Sequence, residues 1–102
     1  MALAKAAAVS VATTSWTDVV TFTGDGTKQV MGFALDCADA STAFRGRVLY
    51  DGTEVWAPMN AASGQTLVVY DAPFTPANTK VWKVQAYQVV GTKDFDGTIF
   101  GS

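Results

Sequence analysis

The chain has 102 residues, a formal net charge of −2, and 49% hydrophobic against only 16% charged residues. That length makes one domain with a single core, and a charged share well below the roughly 25% of an average soluble domain marks surfaces built for contact. Arg45, Arg47 and scattered lysines form no basic stretch, which excludes a dedicated nucleic-acid surface. No run approaches the roughly 18 apolar residues of a membrane span, and the lack of any histidine removes the usual general base and the commonest metal ligand.

Residues 1–15 are almost all Ala, Val, Ser and Thr, with one charge at Lys5. Ordering such a segment costs on the order of 1–2 kcal/mol per residue in backbone entropy, and methyl-sized side chains return little, so a partner surface or a sheet edge must hold it. It reads as an assembly arm (1–15) ahead of a β-domain (16–102), with Leu3, Ala4, Ala6, Ala7, Ala8, Val9, Val11 and Thr13 as its contact residues. Helix is conceivable only over 3–8; the following Val-Ser-Val-Ala-Thr is β-like. As a secretion leader the segment is too short and too weakly hydrophobic.

Residues 17–23 (TDVVTFT) predict a strand that ends at Gly24-Asp25-Gly26. Residues 28–36 predict a second strand with Met31, Phe33 and Leu35 on its core face. The clearest local signal lies over 42–56, a hairpin turning at Asp51-Gly52, a pair suited to a type I′ turn. There Phe44, Gly46, Val48 and Tyr50 share one side, while Arg45, Arg47 and Leu49 share the other, which is either solvated or faces acids on a neighbour.

A loop is expected over 57–63 around Pro58, then a strand over 65–70, then an ordered loop over 71–79 around Phe74, since Pro73 and Pro76 cannot continue a ladder. Residues 80–90 are the longest strand candidate, with Trp82, Val84 and Ala86 alternating against Val81, Lys83, Gln85 and Tyr87; both faces carry apolar groups, as expected if one joins the core and part of the other is covered by a neighbouring subunit or by the arm. Asp96-Gly97 reads as a turn, after which 98–101 close the sheet with Ile99 or Phe100 inside. The sum is all-β: an antiparallel β-sandwich, jelly-roll or Ig-like, of about seven or eight short strands.

Candidate chemistry is sparse. Cys37 is the only cysteine, so no internal disulfide forms, and with Asp36 and Asp39 beside it the thiolate is disfavoured. The nearest acid pairs are Asp36/Asp39 and Asp94/Asp96, but Asp before Gly (Asp25, Asp51, Asp96) is first a turn former, and a domain this small offers little room for the cleft a hydrolytic pair needs. Residues 94–98 imitate part of a calcium loop but lack its distal Glu. No catalytic, cofactor or metal-ligating residue is assigned. Trp16, Trp56 and Trp82, with Tyr50, Tyr70 and Tyr87, are the residues from which a sugar-stacking platform would be built; Trp82 reads as core or subunit contact, whereas Trp56, at a hairpin end beside Pro58, reads as an exposed contact aromatic.

With its start at Met1, a pliant Ala/Thr/Val arm and a His-free, disulfide-free β-domain rich in Thr and Gly, the chain resembles the small virion proteins of tailed bacteriophages, capsid decoration (cement) proteins above all. The resemblance implies a non-enzymatic virion protein, made in the host cytoplasm, that binds major capsid protein or another virion protein as a homo-oligomer, a trimer first. Residues 3–14 match the arm, which in that family adds a strand to a capsid element. The alternative is a carbohydrate- or receptor-binding sandwich of a phage fibre or adhesin, with a glycan as partner.

Overall fold

A computed structural model describes residues 2–70 and 79–102. Eight strands follow in order: β1 (Ala2–Val11), β2 (Thr17–Thr23), β3 (Val30–Cys37), β4 (Phe44–Tyr50), β5 (Thr53–Ala61), β6 (Leu67–Tyr70), β7 (Val81–Gln88) and β8 (Lys93–Gly101). The loop expected around Phe74 lies outside the described residues apart from Thr79.

The strands pair as nested antiparallel couples: β4 with β5, β3 with β6, β2 with β7, β1 with β8. The innermost couple turns at Asp51 and Gly52, both at positive φ (52° and 86°), as a type I′ turn requires. This long double ribbon is folded over itself, and β3–β8 and β4–β7 contacts complete two sheets. The terminal sheet has the order β1-β8-β3-β6 and the second sheet the order β2-β7-β4-β5. An eight-stranded, two-sheet sandwich wound in this way is a jelly roll, the first of the two expected variants.

Alternating apolar residues from both sheets meet between them. Phe33, Leu35, Phe95 and Ile99 come from the terminal sheet; Val20, Phe44, Val48, Trp82, Val84 and Ala86 come from the second. Phe44 and Phe95 meet edge-on across this gap with ring centroids 5.2 Å apart. Burying each such side chain contributes about 1.5–3 kcal/mol, which offsets the backbone entropy of the strands. Gly97 lets the sheets approach, since a Cβ there would sit 2.9 Å from the Cγ1 atoms of both Val19 and Val20.

Four expectations are corrected. The N-terminal segment is extended, not a detached arm: β1 pairs with β8 of its own chain, which supplies the sheet edge that its small side chains need. Asp96-Gly97 is no turn; it lies mid-strand in β8, so the 94–98 stretch has no loop geometry to wrap a cation. The loop placed over 57–63 is strand as far as Ala61, and Pro58 is tolerated because β5 is an outer strand whose missing N–H breaks no ladder.

The fourth concerns facing. Met31 is the extra residue of a bulge between Val30 and Gly32, so it is 37% exposed while Val30 takes the inward place. Bulges likewise displace the facing of β5, which has register shifts opposite Gly46 to Val48 and Val48 to Leu49. Trp56 thereby comes opposite the buried Val48 and turns inward, its ring 5.3 Å from Phe33 and 6.5 Å from Trp82. It packs against the core, not outward as a contact aromatic.

Candidate functional site

Strand alternation puts every second residue of β4, β7 and β2 on the outer face of the second sheet. Arg45 stands opposite Tyr87 and Arg47 opposite Gln85, with Asp18 on the far side of Gln85. Trp16, just before β2, closes the row with its ring 5.3 Å from that of Tyr87.

On this face the two arginines lie against the two aromatic rings. The Arg47 guanidinium carbon is 4.3 Å from the centre of the Trp16 ring, and that of Arg45 is 4.7 Å from the centre of the Tyr87 ring. Each such contact is worth about 0.5–1 kcal/mol at an exposed site. Arg47 is held further: its Nε donates to Gln85 Oε1 at 2.7 Å, and Nη1 lies 3.4 Å from Glu54 Oε1. Gln85 Nε2 in turn donates to Asp18 Oδ1 at 2.7 Å, and Lys83 pairs with the same carboxylate at 3.2 Å.

The two arginines therefore differ in state. Arg47 is anchored on three sides, whereas Arg45 is exposed and, among the described residues, its side chain has no hydrogen bond or ion pair. Its donors are available to a carboxylate or carbonyl brought by another molecule, in the planar two-point geometry that guanidinium favours. Beside it runs a groove of about 430 Å³ whose lining includes Arg45, Asn60, Tyr87, Gln88 and Val89.

The expected contact residues of β1 have other fates. Leu3, Ala4, Ala6 and Val9 pack against the core, and Val11 is fully buried. Ala7 and Ala8 are exposed at a bulge where Ala8 takes φ 54°, and its N–H is satisfied by Asp96 Oδ1 at 2.9 Å. The Thr13 hydroxyl donates to the Gly91 carbonyl at 2.8 Å. Gln88, fully buried on β7, fastens the end of the strand by donating to the Val11 carbonyl at 3.0 Å. Arg45 and Arg47 thus fall on one open face, Trp56 packs against the core, and the β1 residues form a structural strand. Trp16 and Tyr87, two of the aromatics that could build a sugar-stacking platform, complete that face beside the arginines, Tyr87 opposite Arg45.

The acid pairs also separate. Asp36 is paired across strands with Asp96, not with Asp39. Burial and the Asp96 charge push the Asp36 carboxyl up. Asp39 is held well below the usual carboxylate range by Lys93, whose Nζ is 2.7 Å away, and by the Ser41 hydroxyl and N–H. Burial pushes the Cys37 thiol up, in keeping with a structural thiol. Among the described residues no group of His, Cys, Asp or Glu has the arrangement of a metal site, and no helix is long and apolar enough to cross a membrane.

The fold and this face define an eight-stranded jelly-roll sandwich with an arginine–aromatic outer surface. No family model, no curated protein and no solved structure matches the chain.

Proposed function

We propose that this chain is a non-enzymatic structural protein of a virus particle, which decorates and stabilises a phage capsid by bridging neighbouring capsid subunits. The observation that carries the reading is the outer face of the second sheet, where Arg47 is locked against Trp16 and Arg45 lies on Tyr87 with no carboxylate partner among the described residues. Such a face suits acidic or carbonyl groups on major capsid protein or another virion protein. The jelly-roll strand order adds support, being a sandwich on which viral capsid domains are built.

In this reading the second-sheet face takes over the role expected of an N-terminal arm, because β1 is already committed to β8. Many copies, each weakly held, brace a shell by avidity, since every bridge must break before the subunits separate. The test is co-sedimentation with tailed-phage capsids stripped of their accessory proteins. Wild type pellets with them saturably, and the Arg45→Ala/Arg47→Ala double variant, shown folded by circular dichroism, stays in the supernatant. Equal pelleting of both refutes the assignment of the face.

The groove beside Tyr87 favours a second reading, a glycan-binding module, since lectin domains share this sandwich. It predicts glycan-array binding that Tyr87→Ala abolishes and Trp56→Phe leaves intact.

A further inference from the structure

A two-sheet sandwich has four outer strands, here β1, β6, β2 and β5, and each offers unpaired backbone groups to any extended chain. Three of the four carry devices that spoil such pairing. Two bulges interrupt β1, which also carries Lys5 and the left-handed Ala8. A bulge at Val19 interrupts β2, which carries Asp18. Two bulges, Pro58 and Glu54 interrupt β5. Strand β6 has none of these. Its register against β3 runs unbroken from Leu67 to Tyr70, its residues Leu-Val-Val-Tyr are uncharged, and among the described residues Leu67, Val68 and Val69 make no backbone hydrogen bond beyond that ladder.

We propose that the free edge of β6 joins a second copy of this chain, its own β6 running antiparallel across a two-fold axis so that the two terminal sheets become one. Self-pairing is what the composition suits: any charge on the strand would meet itself across the axis, and residues 65–70 (QTLVVY) carry none. Val68, 41% exposed on the outer face beside Ala34, would be covered by the same residues of the partner copy. The strand has only four residues, so the pair is reversible and concentration-dependent. This two-fold pair differs from the trimer that the resemblance implies, and it does not depend on the capsid reading.

Sedimentation equilibrium of the full chain tests it. Wild type shifts from one chain mass toward two as concentration rises. Val68→Lys and Val68→Glu, each changing an exposed side chain, stay at one chain mass, and an equimolar mixture of the two regains the two-chain mass. In parallel, amide exchange at Leu67, Val68 and Val69 slows with rising wild-type concentration. A single-chain or three-chain mass for wild type throughout, a two-chain mass that persists in both variants, or β6 exchange indifferent to concentration would each overturn the proposal.

Discussion

The two sheets bury matching inner faces but present unlike outer ones. Both turn alternate Val, Phe, Leu, Ile and Trp inward, because only that pattern fills the gap between them. Outside, the terminal sheet carries Ala34, Thr98, Asp36, Asp94 and Asp96, with Phe100 laid over Gly32 and Val68 exposed on β6. The second sheet instead spends Trp16, Tyr87, Arg45, Arg47, Gln85, Asp18 and Lys83 on one connected layer. Folding demands only the inner faces, so the contrast between the outer ones is where a contact role is to be sought.

The largest effect sharpens what the faces share. Gly97→Leu, which forces a side chain against Val19 and Val20, is expected to cost at least about 1–3 kcal/mol and to lower the urea midpoint of unfolding. A neutral result would mean that the sheets are not packed as closely as described.

Next comes the contrast within the second sheet. Arg47→Ala loses a ring contact and a hydrogen bond and is expected to destabilise by about 1–2 kcal/mol, whereas Arg45→Ala, losing only an exposed ring contact, costs under about 1 kcal/mol. Equal costs in chemical denaturation would remove the distinction between an anchored and an available arginine.

The smallest effect distinguishes the carboxylates of the terminal sheet. Asp36 has its carboxyl raised in the fold, so its ionised form opposes folding at neutral pH, and that penalty fades as pH falls through the raised value. Asp36→Asn should therefore gain about 0.5 kcal/mol near neutrality and lose the advantage in acid. Asp39 has the opposite sign. Its carboxyl is depressed, so what its pairing with Lys93 contributes is present above the ordinary value of 3.8 and is lost as pH falls through the lowered one. Thermal melts of both Asn variants against pH check the two directions.

Local chemistry was legible in the sequence where one short stretch decides the outcome. Asp51-Gly52 set its hairpin, and the alternation along β7 put Trp82, Val84 and Ala86 together on one face, which proves to be the inner one. Bulges were not legible. One extra residue at Met31 and two along β5 reverse which side chains face inward, and no composition signal marks them. The fate of residues 2–11 turned on a partner at the opposite end of the chain, β8, so local reading saw a segment in need of an edge without seeing that the chain supplies it. The candidate face was half legible: the arginines two apart were visible, but Trp16 meets Arg47 only through the pairing of β2 with β7 and of β7 with β4.

The proposed contact lies on the second sheet's outer face. Hydroxyl-radical footprinting of the chain, free and bound to stripped capsids, addresses it directly because Trp16 and Tyr87 mark one face and the exposed Met31 marks the other sheet. Trp16 and Tyr87 are expected to become protected on binding while Met31 stays as reactive as in the free protein. Protection of Met31 with Trp16 and Tyr87 unchanged would contradict it.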